Sequence, residues 1–218
     1  MIRLSEEALP LNSGCVLTIG NFDGVHIGHR ALIEETVAVA RALSVPSVVW
    51  TFGEHPQSFF GANSLRYLTG AYEKAAFIEK AGADMYFTAE FAKYKDMSAD
   101  RFVDEVLVGA FGVKHVVCGY DFSFGKGGSG NPEQLLKLLS RYGVPLTVLP
   151  PVCVEGVAVS STGLRALITE GDMETARKHL GRPYGFYLPV THGNRIGRTI
   201  GSPTVNQRFP AERVVPAY

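Results

Sequence analysis

His26 and His29 stand three residues apart in the run Ile19-Gly20-Asn21-Phe22-Asp23-Gly24-Val25-His26-Ile27-Gly28-His29, directly after the apolar stretch Cys15 to Thr18. A spacing of three in a first helical turn puts both imidazoles on one side. The unpaired N–H groups of that turn point the same way and favour anions. Gly20, Gly24 and Gly28 allow tight turning and close approach to the main chain, with Asn21 and Phe22 completing the loop. The set reads as a cradle for a polyphosphate whose charge shifts during reaction. A capped turn with two solvent-facing histidines is the alternative.

A second cluster is Val159-Ser160-Ser161-Thr162-Gly163-Leu164-Arg165. Ser161 or Thr162 can cap the helix that follows, leaving N–H groups for phosphate oxygens. Arg165, one turn in, can add a bidentate grip on the same anion. Taken alone, an ordinary capped helix with a solvated arginine explains it equally.

In the third, Val117-Cys118-Gly119-Tyr120-Asp121-Phe122-Ser123-Phe124-Gly125, Asp121 is placed to hold a nucleotide hydroxyl or organise a metal-bound water. A turn aspartate between core aromatics is the competing reading. The adjoining Gly125-to-Gly130 segment contains G-x-G-x-x-G. It comes late in the sheet and no acidic residue ends a strand about 20 residues on, so a flexible phosphate-side loop fits better than a dinucleotide fingerprint. His55, after Thr51-Phe52-Gly53-Glu54, falls on the ligand side of the sheet or is a loop histidine held by backbone. Asp84 and Glu73-Lys74 read as ordinary caps and surface pairs. In the tail, Gly193, Gly197 and Gly201 recur every four residues, and Thr204 and Asn206 offer oxygens two apart on an extended segment, suited to Mg²⁺ and nucleotide phosphates or simply part of a β-turn.

The elements that must position these groups alternate. Strands are predicted at Val16–Gly20, Ser47–Phe52, Met85–Thr88, His115–Cys118 and Leu146–Leu149. Helices are predicted at His29–Leu43, Ala71–Ala81, Ala99–Phe111 and Pro132–Tyr142, with Pro132 and Gly143 as start and stop punctuation. Alternation of this kind implies βαβ units, a mostly parallel sheet and helices on both faces, with ligands at the carboxyl ends of the strands. The fold class is therefore α/β, Rossmann-like, with a parallel sheet. Two shorter helices, Thr162–Glu170 and Met173–Leu180, precede Gly181-Arg182-Pro183. A strand over Phe186–Thr191 and glycine- and proline-punctuated chain then follow. This places a boundary near residue 182, with residues 1–182 as one domain and 183–218 as the incomplete start of an all-β domain, too short for a core of its own.

Composition narrows the partners. Lys+Arg and Asp+Glu are equal at 21 each, so no net field draws in nucleic acid or an anionic membrane. No apolar run approaches a membrane span and the N-terminus lacks an export signal, which points to the cytoplasm. Cys15, Cys118 and Cys153 are dispersed and odd in number. They read as buried small hydrophobes in a reducing compartment, not as a disulfide or zinc site. No residue pattern specifies an oligomeric state.

The string His26-Ile27-Gly28-His29 is a phosphate-handling signature of nucleotidyl-transfer enzymes. Together with Thr51-Phe52 and His55-Pro56, Gly119 to Gly125, Ser160-Ser161-Thr162 with Arg165, Gly181-Arg182-Pro183-Tyr184 and the Gly201-to-Asn206 tail, it makes six segments in order. The chain resembles the bacterial bifunctional riboflavin kinase/FMN adenylyltransferase family, also called FAD synthetase. The resemblance implies an α/β nucleotidyltransferase domain followed by a β-barrel kinase domain. It implies that residues 1–182 make FAD and pyrophosphate from FMN and ATP with Mg²⁺. His26 and His29 would grip the ATP phosphates, Ser161, Thr162 and Arg165 would close the other side, and Asp121 would face nucleotide or metal. Thr204 and Asn206 inherit the family's Pro-Thr-x-Asn role toward Mg-ATP.

Ser202 stands where the family usually has a bulky apolar or aromatic residue, and Val205 where it usually has alanine. The chain ends at Tyr218, before most of the barrel and the kinase glutamate of the family, so riboflavin is not expected to be phosphorylated by these 218 residues. Three rivals are weaker. A class I aminoacyl-tRNA synthetase would be longer, basic and carry Lys-Met-Ser-Lys-Ser. Another small-molecule nucleotidyltransferase would lack the kinase-like tail. A flavin or nucleotide binder without catalysis would not need its histidines, Ser161-Thr162 and Arg165 intact.

Overall fold

The structure is a computed structural model that describes residues 1–53, 65–193, 201–202 and 204–217. Its centre is a six-stranded sheet in the order β1-β4-β3-β2-β5-β6, parallel throughout, built from β1 (Ile2–Leu4), β2 (Cys15–Ile19), β3 (Ser47–Phe52), β4 (Met85–Ala89), β5 (Val113–Gly119) and β6 (Leu146–Leu149). Strand β2 is buried along its whole length, which is why it reads as an unbroken apolar run and not an alternation.

One face of the sheet, with Leu17, Ile19, Val48, Trp50 and Phe87, packs on Phe102, Val103 and Leu107 and on Leu135 and Leu139 of helix Pro132–Ser140. The other, with Val49 and Tyr86, packs on Ile33 and Val37 of α1 (Ile27–Leu43) and on Ala75 and Ile78 of α2 (Ala71–Lys80). Helices α3 (Phe91–Tyr94), α4 (Ala99–Arg101), α5 (Pro132–Ser140), α6 (Ser161–Glu170) and α7 (Met173–Leu180) follow in chain order.

Removing the short edge strand β1, the order is that of a doubly wound sheet, and its direction of winding reverses between β2 and β5. That crevice, outside the carboxyl ends of the two strands, is where such sheets bind ligands. The histidine loop leaves β2 there, and the Tyr120-Asp121 turn leaves β5 beside it.

Several expectations need correction. Edge strand β1 was not predicted; its three residues alternate too little to show a period. The helix predicted over Ala99–Phe111 starts as α4 but widens into π-helical turns over Phe102–Ala110, with the Phe111 N–H donating to the Val106 carbonyl five residues back at 3.0 Å. Glu155 and Gly156, at φ +52° and +81°, make a two-residue turn between β7 (Cys153–Val154) and β8 (Val157–Ala158), the pairing that primed turns favour. Cys153 lies exposed on that hairpin. Cys15 and Cys118 are buried free thiols, pushed up to about 12 by burial. The strand expected over Phe186–Thr191 is paired only at β9 (Val190–Thr191), antiparallel to β10 (Asn206–Gln207). The glycine-rich segment after Phe124 is a short 3₁₀ turn over Lys126–Gly128, closed by a Phe124–Gly130 bridge.

Candidate active site

The loop after β2 is held under strain. Phe22 and Val25 are fully buried yet adopt φ of +48° and +38°, a left-handed region that β-branched and bulky residues rarely enter. Gly24, at φ +84°, is a strained place for any side chain, and a Cβ there would lie 2.8 Å from Leu68 Cδ1, so the buried leucine would have to shift. Room at Gly20 and Gly28 is taken by the loop's own rings. A Cβ at Gly20 would meet the Phe22 ring at 3.1 Å, and one at Gly28 would meet the His26 imidazole at 3.2 Å.

His26 is the N-cap of α1, its Nδ1 accepting from the His29 N–H at 3.2 Å. The two imidazoles stack with centroids 3.6 Å apart and planes 16° from parallel, so the spacing of three places them together as expected. Phe22 meets the His29 ring edge-on at 5.2 Å. Burial lowers His26 to about 4, against the opposing pull of Asp23, with Arg182 and His179 adding to the fall. His29 is held well below its ordinary value by burial, then by His26 and Lys74. Both rings are therefore neutral at pH 7, and His29 Nδ1 is buried with no partner among the described residues.

Asp23, which the sequence did not single out, is the hub. Its buried carboxylate accepts from the N–H groups of Leu68 and Thr69, from Thr69 Oγ1 and, at 2.6 Å, from Arg165 Nη2. Its carbonyl accepts from Ser161 Oγ at 2.8 Å. These bonds seat the N-terminus of α6 directly against the histidine loop, so the two helix mouths lie side by side. The cap of α6 is Ser160, whose Oγ accepts from the Gly163 N–H, and not Ser161 or Thr162. That leaves Ser161 to lock the loops together and Thr162 exposed.

Arg165 also differs from its expected bidentate grip on an anion. Nη2 goes to Asp23 and Nε to the Arg66 carbonyl at 2.8 Å, leaving Nη1 with no partner among the described residues. The charge-assisted bond to the buried Asp23 carboxylate fixes the guanidinium in that orientation. Asp121 is exposed beyond β5, and its Oδ1 would lie 2.9 Å from a Cβ at Gly119, which itself would touch Leu32 of α1. His55 lies outside the described residues.

Further residues with no chemistry legible in the sequence complete the surround. Arg182 donates to the carbonyls of Gly24 and Val25 and lies 3.7 Å over the Phe77 ring. Glu73 caps α2 as expected, accepting from the Gly70 N–H, but it and Lys74 are buried and not a surface pair. Glu73 holds Arg213 at 2.6 Å and accepts from the N–H groups of Gly70 and Tyr187. Lys74 donates to the Phe52 carbonyl at 3.3 Å; burial lowers its pKa and Asp23 opposes the fall. Asp84 is likewise structural, accepting from the N–H and Oγ of Ser47. In the tail, Thr204 and Asn206 are exposed, and the amide of Asn206 fills the space that glycine leaves at position 193.

Residues 9–163 match the FAD synthetase family. The chain belongs to that family. Residues 180–218 match the riboflavin kinase family, a partial match confined to the tail. Among curated relatives, the bifunctional riboflavin kinase/FMN adenylyltransferase of Haemophilus influenzae is 36% identical over 96% of this chain and 68% of its own length. That of Listeria monocytogenes is 37% identical over 92% of this chain and 64% of its own length. The chain thus spans about two thirds of the relatives it matches. A solved structure described as a macrolide-efflux protein from Streptococcus pneumoniae is similar across the whole of this chain and 72% of that one, with a TM-score of 0.84 and 27% identity. No helix among the described residues is long and apolar enough to cross a membrane.

Proposed function

We propose that this FAD synthetase-family chain transfers AMP from ATP to FMN, releasing pyrophosphate. The observation that carries the reading is the 2.8 Å bond from Ser161 Oγ to the Asp23 carbonyl, which sets the anion-favouring mouths of α1 and α6 side by side at the reversal point of the sheet.

FMN brings its own nucleophile. Its phosphate has a second pKa of about 6 and is largely dianionic at neutral pH. One of its oxygens attacks the α-phosphorus of ATP in line, forming a new P–O bond while the bond to the β-phosphate oxygen breaks and pyrophosphate leaves. The chain's contribution is alignment and charge stabilisation. His26 is locked as a hydrogen-bond acceptor at Nδ1, so its Nε2–H is its donor toward phosphate oxygens, and the His29 ring stacks nearly parallel to it. A triphosphate beside the pair favours the imidazolium form of His29, while His26 donates from Nε2 as a neutral ring for as long as its Nδ1 caps α1. The N–H groups of Ser161 and Thr162 and the free nitrogen of Arg165 line the opposite mouth. Gly20, Asn21, Phe22, Gly24 and Gly28 set the shape of the loop, and His55 is the candidate for the flavin side.

Mg²⁺ enters with ATP as part of the substrate. The described residues include no group of three or more His, Cys, Asp or Glu side chains able to hold an ion. Asp121, exposed at the end of β5, is the carboxylate that would meet the metal's water or a ribose hydroxyl. We assign residues 1–182 to the adenylyltransferase and residues 183–218 to the first part of a riboflavin kinase domain, with Thr204 and Asn206 as its Mg-ATP ligands. Soluble small molecules, ATP, FMN and riboflavin, are the partners of this cytoplasmic reading.

Incubation with FMN, ATP and Mg²⁺ followed by chromatography should show FAD and an equal amount of pyrophosphate. His29→Ala should lower the rate by about 10²–10³-fold, the loss typical of removing one donor to developing charge, with FMN binding retained. Turnover by His29→Ala close to that of the unaltered chain would remove the histidines from the reaction.

A further inference from the structure

One buried cation in this region is left short of partners. Lys74, in the first turns of α2, is 9% exposed, and its ammonium makes a single hydrogen bond among the described residues, to the main-chain carbonyl of Phe52 at 3.3 Å. An ammonium carries three donors, and burying one without a matching anion is costly. Neither buried carboxylate of this region among the described residues supplies that anion. Asp23 is bonded to Leu68, Thr69 and Arg165, and Glu73 to Arg213, Gly70 and Tyr187.

The position of Lys74 is equally particular. Phe52 is the last residue of β3, at the carboxyl edge of the sheet, and the ammonium is close enough to His29 and Asp23 to influence the first and be influenced by the second. Lys74 also lines a cavity of about 180 Å³ together with Arg3, Gly53, Tyr72, Tyr86 and Thr88. Its wall is mostly apolar, and the described residues that line it include two cationic side chains, Lys74 and Arg3, and no carboxylate. A negative group entering beside Lys74 would meet an under-partnered ammonium and no competing carboxylate among those residues.

We propose that Lys74 is a further substrate-binding residue, whose ammonium takes a phosphoryl oxygen of the reacting nucleotides at the end of β3, beside His29. The inference rests on the adenylyl-transfer reading. The oxygen belongs either to the acceptor's phosphate or to the triphosphate of ATP, and the two are separable by experiment.

Lys74→Met keeps the aliphatic stem and removes the charge; Lys74→Arg keeps the charge. Steady-state FAD formation is measured with FMN and ATP varied in turn, alongside calorimetric binding of each alone and the thermal midpoint of each variant. Lys74→Met should lower kcat/KM ten- to a hundredfold and weaken binding of one nucleotide selectively, FMN if the oxygen is the acceptor's and ATP if it is the triphosphate's. Its thermal midpoint should be unchanged or higher, since a buried charge is replaced by an apolar chain. Lys74→Arg should recover most of the loss. Unchanged binding and turnover in Lys74→Met would overturn the proposal. So would a loss that follows a lowered midpoint and that arginine fails to rescue, because that is the mark of a structural role. If the unaltered chain binds both nucleotides but makes no FAD, the adenylyl-transfer reading fails, and the binding comparison alone still decides Lys74.

Discussion

In the sheet, β2 reaches the site with ladder bonds on both sides, and its side chains fall on the faces that a period of two dictates. From Arg182 onward regular structure nearly vanishes, leaving two strands of two residues each among those described. Yet this irregular stretch supplies some of the most deeply engaged groups in the molecule. Arg213, 5% exposed, pairs with Glu73 and donates to the Leu68 carbonyl. Val214 packs with Leu68, Leu164 and Ile168. The main chain of Glu212 and Val214 pairs with Tyr67 on both sides of Arg213, and Tyr184 Oη donates to the Val214 carbonyl. The same Leu68-Thr69 strap carries the N–H groups that bind Asp23 on its other edge. Hydrogen-bond ladders thus hold the sheet side of the cleft, while a few buried charges from distant sequence hold the other.

That contrast can be broken most severely at the Glu73–Arg213 pair. Arg213→Met leaves a carboxylate buried and unpaired, and should lower unfolding free energy by about 3–5 kcal/mol in urea titrations. Adding Glu73→Gln should recover much of it, which would show that the penalty lies in the stranded charge and not in lost packing. A surface-like loss below 1 kcal/mol would mean the tail is not clasping the strap.

Acid tests the sheet side. His26 has a folded pKa of about 4 against 6.5 when unfolded, so between those values the unfolded chain binds the extra proton. Its contribution is complete above pH 6.5 and lost as pH falls toward 4, about 3 kcal/mol in all. His29 shifts in the same direction and adds to the slope. His26→Asn keeps an N-cap oxygen and should give a shallower fall in urea midpoint between pH 7 and pH 4.5.

Gly24→Ala probes the strap from the loop. Positive φ and the 2.8 Å approach to Leu68 Cδ1 should together destabilise by about 1–3 kcal/mol and reduce FAD formation through displacement of Asp23. Ser160→Ala is the mildest change, costing about 1 kcal/mol as a lost cap on α6 while the Ser161–Asp23 bond persists.

Most of the sheet was legible because buried parallel strands are apolar runs and amphipathic helices keep a 3.6 period. The misses have physical causes. Strand β1 is three residues long and exposed, so no pattern marks it. The π turns of Phe102–Ala110 preserve an apolar face, and periodicity alone reads them as α-helix. At the site, the motifs located His26, His29, Ser161 and Arg165. Asp23 and Arg182 lie inside recognised segments without a role assigned to them, Glu73 and Lys74 read as a cap and a surface pair, and Arg213 carries no signal, because each takes its significance from a partner distant in sequence. Arg165 shows the limit from the other side: its type and position were read, but one of its nitrogens is held by a carboxylate 142 residues away and another by the Arg66 carbonyl.

Sequence by itself determined the α/β alternation, the histidine pair on one helical turn, and the family, since all three rest on local spacing and steric preference. Tertiary structure alone decided that the mouths of α1 and α6 meet, that both imidazoles are neutral, and that an apparently ordinary Glu73-Lys74 pair is buried. Those outcomes depend on which surfaces lose water together, a property of long-range packing that no single stretch of chain encodes.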